Sequence, residues 1–139
     1  MQHERLMLSA ADLAAERELR PEGAPPPRLS IVHLPEQLTP EHDVERSLVC
    51  LIDVQRMTTT LTTAMAEGAA AFRVFREVEE VHAAAESYAP EARLLGGERE
   101  GQQIPGFDGD NSPRAYLRTA LDLGGKTLLF TTTNGSKAA

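Results

Sequence analysis

At 139 residues the chain is long enough for one domain with its own core. Its apolar fraction of 41% and charged fraction of 25% are those of a globular protein. A net charge of −7 without a block of Lys and Arg excludes a nucleic-acid surface driven by counterion release, although a local cluster of Arg and backbone N–H can still hold an anion.

The N-terminal stretch MQHERLMLSAADLAAERELR is charged throughout and lacks the apolar centre of a signal peptide. Leu6 and Leu13 give it the pattern of a short amphipathic helix. PEGAPPPR (21–28) then breaks any helix and reads as a stiff linker, so residues 1–28 are expected to form an extension to a domain spanning 29–139. LSIVHL (29–34) is a short strand candidate, and PEQLTPEHDVER (35–46) a polar connector. SLVCLIDV (47–54) is almost continuously apolar, as a strand buried on both faces would be. It places the single cysteine, Cys50, in the core, where one thiol can form neither an internal disulfide nor a metal spacing.

TTTLTTAMAEGA (58–69) follows as a helix, with threonines as cap candidates and Gly68 as its stop. AAFRVF (70–75) is the next strand. EVEEVHAAAESYA (77–89) is a helix with an acidic start, a stripe of Val78, Val81, Ala85 and Tyr88, and Pro90 as terminator. ARLLGG (92–97) is a strand running into glycines, and EREGQQIPGFDGDNSP (98–113) a long Gly- and Asp-rich loop. Pro113 suits the first turn of a helix over 114–123, KTLLFTTT (126–133) is a buried strand, and SKAA can open a last helix after the Asn134-Gly135 turn. No apolar run reaches the roughly 20 residues of a membrane span, and a reducing cytoplasm is the expected compartment. Alternating strands and helices predict an α/β fold, a layered α/β/α arrangement around a mainly parallel or mixed sheet.

In such sheets the strand carboxyl ends gather the ligand-binding loops. Two of these ends are rich in hydroxyls. Asp53-Val54-Gln55-Arg56-Met57-Thr58-Thr59-Thr60 combines a carboxylate, a guanidinium and the start of a helix, which together suit Mg²⁺ beside a phosphate ester. Thr131-Thr132-Thr133-Asn134-Gly135-Ser136 repeats the arrangement without an acid. The same residues also suit a plain helix cap and an ordinary strand-to-turn exit. The long loop adds Glu98, Arg99, Asp108, Asp110 and Asn111, any of whose carboxylates could join a metal shell or act as a base. His33, His42 and His82 have no metal spacing, no P-loop is present, and Gln55 breaks the DxDx pattern of aspartyl-phosphate enzymes.

Three segments in this order, IDVQRMTTTLTTAMAEGA, LLGGEREGQQIPGFDGDNSP and GKTLLFTTTNGSKA, resemble the 2-phosphosulfolactate phosphatase family, over roughly residues 29–139. The resemblance implies a Mg²⁺-dependent phosphatase that converts 2-phosphosulfolactate, or a similar small α-hydroxy acid phosphate, to the hydroxy acid and phosphate, a step toward coenzyme M. By matching positions, Asp53, Glu98 and Asp108 become the candidate catalytic and metal-holding carboxylates. Arg56, Thr58, Thr59, Thr60, Arg99, Asn111, Ser112, Thr132, Thr133, Asn134 and Gly135 become candidates for holding the anionic substrate, beside the matching Phe107, Pro113 and Thr131. Gln55 and Met57 stand where Leu and Ala are usual, Glu100 replaces a glycine, and Gly109-Asp110 replaces Leu-Gly. Family members continue past the second threonine turn. The resemblance therefore implies an N-terminal portion whose sheet calls for cover by a C-terminal half or a second copy. A non-catalytic organophosphate-binding or assembly module is the alternative reading.

Overall fold

The computed structural model describes residues 23, 28–117 and 121–139. The chain falls into two units, Met1–Val32 and His33–Ala139. In the first, the described residues 28–32 have no regular structure, and the helix and linker expected over 1–27 lie, Gly23 apart, outside the described residues.

The second unit begins with three single turns of 3-10 helix, Pro35–Gln37, Pro40–His42 and Val44–Arg46, two of them opened by proline. Regular elements follow in the order α1 (Met57–Ala66), β1 (Ala71–Val74), α2 (Val78–Ala85), β2 (Arg93–Arg99), β3 (Gln102–Gln103), β4 (Thr127–Thr131) and α3 (Gly135–Ala138). Four strands form one mixed sheet in the order β1-β4-β2-β3. β4 pairs in parallel with β1 and with β2, while β2 and β3 form a short antiparallel hairpin.

Strand alternation sends successive residues to opposite faces. Leu94, Leu128 and Phe130 join Met57, Leu61 and Ala64 of α1 and the buried Tyr116 on one face. Leu95 and Leu129 join Val81 and Ala85 of α2, with Ile104 and Phe107, on the other. The result is the expected α/β/α layering. α2 starts where Glu77 and Glu80 close a capping box, so its acidic first turn both caps the helix and suits its dipole. Arg93 fastens its other end, donating to the carbonyls of Ala85 and Tyr88.

Tyr116 is fully buried, and two glycines make room for it. A Cβ on Gly96 would collide with the Tyr116 hydroxyl and with Phe130, and one on Gly109 would lie 2.8 Å from the same hydroxyl. That hydroxyl donates to the Asp110 carbonyl at 2.7 Å, which locks the long loop over β2. Burial, with Asp110 and Asp108 nearby, raises the phenol's pKa far above its ordinary value.

Three expected elements form differently. No strand forms over 29–34 or 47–54. In the second segment Leu48 is 100% exposed, Ile52 75% and Val54 68%, and Cys50 is exposed, not buried. Only Leu51 turns inward onto the core. An apolar run becomes a strand only where a sheet edge accepts its backbone and a second surface covers its side chains. Neither is supplied by the described residues. The helix expected over 114–123 is, in its described part, a single 3-10 turn, Pro113–Tyr116, because Leu117 returns to extended backbone once Tyr116 is seated.

Gly96→Ala is expected to destabilise the protein by about 1–3 kcal/mol through overpacking, whereas Gly124→Ala, whose nearest obstacle is a flexible Asp122 carboxylate oxygen 3.3 Å away, stays within about 1 kcal/mol. Urea midpoints of the two variants test this.

Candidate functional site

The carboxyl ends of β2 and β4 and the start of α1 meet around the turn at residues 131–135. Gly135 lies there against Asp53 and Met57. A Cβ added to it would stand 2.5 Å from Asp53 Oδ2 and 3.0 Å from Met57 Cβ. A glycine is needed for that approach, and it brings Asp53 and the Asn134-Gly135 turn onto one rim despite their separation in sequence.

Threonines tie the first turn of α1 together. Thr58 Oγ1 donates to the Asp53 carbonyl at 2.7 Å and accepts from the Asp53 amide at 2.9 Å. Thr59 Oγ1 donates to the Val54 carbonyl and Thr60 Oγ1 to the Asn111 carbonyl. The hydroxyl protons of this run are therefore spent on backbone oxygens, not directed at a ligand. The amides of Thr58 and Thr60 reach the carbonyls of Asp53 and Arg56. Among the described residues, those of Met57 and Thr59 have no backbone acceptor, as expected at a helix start. The Asp53 carboxylate, half-buried, and the exposed Arg56 guanidinium have no partner among the described residues.

The β2 exit is closed on itself. Glu98 is 7% exposed. Its Oε1 accepts from the Thr133 amide at 2.8 Å, and its Oε2 accepts from the Thr133 hydroxyl and the Gly101 amide, each at 2.8 Å. Burial by itself would raise the carboxyl's pKa, but these three donors and the neighbouring Arg99 charge outweigh it and hold the pKa below its ordinary 4.5. Arg99 turns toward the end of β1, donating to the Arg76 carbonyl and Thr131 Oγ1, with Glu77 3.9 Å away. Thr132 and Ser136 form a buried reciprocal pair. Each amide donates to the other's hydroxyl oxygen, and Ser136 Oγ donates to the Thr132 carbonyl at 2.7 Å. The Asn134 side chain is exposed and unengaged among the described residues.

The long loop is laid down as an extension of the sheet. The amides of Asp108 and Gly109 donate to the Leu95 carbonyl, and Asp108 Oδ2 accepts from the Leu95 amide at 2.7 Å. Phe107 is buried against α2, where His82 meets it edge-on. Asp110 Oδ1 caps the Ser112 amide, and Pro113 opens the short turn that follows. Asn111 is 5% exposed, and its Oδ1 is a buried acceptor without a partner among the described residues.

Asp53 and Met57 at the start of α1 and Glu98 at the end of β2 thus flank the β4 turn that carries Thr133, Asn134 and Gly135. Asp108 instead anchors the loop at Leu95, and Arg99 faces the β1 side. Among the described residues no three His, Cys, Asp or Glu side chains gather as a metal cluster. Four residues that are not among the candidate site residues also contribute. Ser136 had a signal in its spacing of four from Thr132. Gly96 and Gly109 together marked a slot for a ring. Met57 stands out only as a departure from the family pattern, yet it is buried against Gly135 and forms the wall behind Asp53.

Residues 32–139 match the family described as 2-phosphosulpholactate phosphatase. A protein from Synechococcus sp. named "Probable 2-phosphosulfolactate phosphatase" is 40% identical over 80% of this chain, which covers 44% of that protein. One of the same name from Gloeobacter violaceus is 41% identical over 79% of the chain, covering 44% of its own length. A third, from Synechocystis sp., is 42% identical over 78% of the chain and is covered over 43% of its length. The chain therefore spans somewhat under half the length of these relatives. No helix among the described residues is long and apolar enough to cross a membrane.

Because the folded pKa of Glu98 is depressed, its contribution to stability is complete above the ordinary value of 4.5 and is lost as pH falls through the lower, folded value. The gap in unfolding free energy between wild type and Glu98→Gln is expected to be constant from neutral pH down to about one unit above that ordinary value, and then to narrow with further acidification. Urea titrations across the acid range read it directly.

Proposed function

The chain belongs to the 2-phosphosulpholactate phosphatase family, and on that premise we propose that it carries the anion-binding rim of a Mg²⁺-dependent phosphoric monoester hydrolase. Its substrate is the phosphate ester of a small α-hydroxy acid, 2-phosphosulfolactate or a close analogue, and its products are the hydroxy acid and inorganic phosphate. The observation that carries this reading is the contact of Gly135 with Asp53, which sets beside a helix start a carboxylate that has no partner among the described residues.

The chemistry of these groups suits a phosphate ester. Backbone N–H groups at a helix start and a guanidinium both favour phosphoryl oxygens. The amides of Met57 and Thr59 and the Arg56 side chain bind and orient the phosphoryl group. Asp53 is held in place through its own backbone by Thr58, and one of its oxygens accepts a proton from the attacking water. The water oxygen bonds to phosphorus as the phosphorus–oxygen bond to the hydroxy acid breaks, and the leaving oxygen takes up the proton that Asp53 accepted.

The donor set fits Mg²⁺, which takes one or two protein oxygens and completes its shell with water and substrate phosphate. The backbone carbonyls of Asp53 and Asn111 accept from Thr58 and Thr60 in the first turn of α1, and the side chains of both residues carry hard oxygen donors. They would hold the ion, which when bound offsets negative charge on the phosphoryl oxygens.

The second reading, a module that binds an organophosphate without turnover, is favoured by the exposed apolar residues Leu48, Ile52 and Val54. Phosphate release from 2-phosphosulfolactate or phospholactate decides between them. Turnover that needs Mg²⁺, falls about 100-fold or more in Asp53→Asn, and shows a KM raised about tenfold in Arg56→Ala is the expected outcome. Thermal stabilisation by either ester with no phosphate released would overturn the hydrolase reading in favour of the binder.

A further inference from the structure

We infer that Glu98 is a positioning residue: as a built-in anion it occupies the donors of the β4 turn and holds that turn against Asp53, and it neither ligates a metal nor carries a proton. This role belongs to the rim on which the hydrolase reading rests, but it is decided by geometry within the chain.

Three of the roughly four lone-pair positions of an ionised carboxylate are filled by this protein's own donors. The residue is 7% exposed, so little solvent reaches the fourth. A general base needs a free lone pair facing water and a metal ligand one facing the ion, and the single remaining position lies in a buried side chain with little access to either.

The donors themselves resemble a ligand site already filled. Thr133 presents its amide and hydroxyl to one carboxylate, and the chain curls back so that Gly101 adds a third donor. That curl places Glu100 at φ 53° and Gly101 at φ 79°. Thr133 Oγ1 donates to Glu98 and accepts from the Glu100 amide at 2.9 Å, so each bond orients the next. The second threonine turn is therefore stapled to β2. Two residues further on, Gly135 meets Asp53, so the staple also fixes the wall against which that carboxylate lies. The substrate's charged groups are left to the α1 side of the rim.

Two measurements on the full 139-residue chain decide the matter without turnover. In Glu98→Gln, amide hydrogen exchange at Gly101 or Thr133, whichever is left facing the NH₂, is expected to quicken about tenfold or more, since an amide NH₂ cannot accept where an oxygen did, while Glu98→Asp recovers part of the protection. In wild type carrying ¹³C-labelled glutamate, titration with Mg²⁺ alone leaves the Glu98 carboxyl signal unmoved. Unchanged exchange in Glu98→Gln, or a Mg²⁺-dependent shift of the wild-type Glu98 signal, overturns the inference. The second measurement stands even if the variant does not fold. With a hydrolysed ester, a positioning role further requires that Glu98→Gln raise KM more than it lowers kcat and leave the acid limb of the pH–rate profile in place. Loss of that limb with KM unchanged makes Glu98 the base and overturns it. A chain that hydrolyses nothing defeats the hydrolase reading only, because exchange and the carboxyl signal still decide the role of Glu98.

Discussion

The closeness of β2 to its surroundings at Gly96 and Gly97 governs the rest of the structure. A Cβ on Gly97 would run into the Thr131 carbonyl, and one on Gly96 into Tyr116 and Phe130. At Gly97 the backbone also has φ 135°, a conformation that disfavours any side chain. These two residues let the ends of β2 and β4 lie side by side, seat the buried Tyr116 ring, and bring the next residue, Glu98, within reach of Thr133. The site is thus built from backbone proximity first and side chains second. Removing side chains at two positions is what allows charged and hydroxyl groups to meet two residues later.

Much of this was legible in the sequence. The pairs Leu94-Leu95 and Leu128-Leu129 between turn residues announce strands covered on both faces, and each pair does divide between the two cores. The acidic start and apolar stripe of the segment after Arg76 announce α2. The segment at 47–54 carries an equally strong strand signal and yet forms no regular element, with Leu48 fully exposed. Composition records what a segment can bury, whereas burial needs a second surface, and none among the described residues supplies it. Cys50 was misplaced for the same reason, since its burial was inferred from its neighbours.

Site chemistry was legible as residue types but not as hydrogen-bond direction. Runs of threonine at two strand exits suggested hydroxyls offered to a ligand. Thr58, Thr59 and Thr60 instead spend their protons on the carbonyls of Asp53, Val54 and Asn111. Threonine can serve either role, and the choice depends on which carbonyls the fold leaves open nearby. The same reasoning divides the carboxylates. Asp108 and Glu98 face amides that would otherwise be orphaned, while Asp53 is held by its backbone and its side chain is unengaged among the described residues. No property of the isolated residues distinguishes them; the difference lies in the amides that each one meets.

The strand order also governs how the molecule can assemble. β4 is the last described strand in sequence but sits between β1 and β2, which do not pair with each other. Until β4 has been made, the only ladder open to the described strands is the short β2–β3 hairpin. During synthesis β1 and β2 must therefore wait, without their common ladder, for a partner that lies about thirty residues beyond β2. Loop-closure entropy slows such late, non-local pairing and leaves apolar strands open to other chains in the interval. Synthesis speed and chaperone access over that interval become part of what decides the yield of native protein.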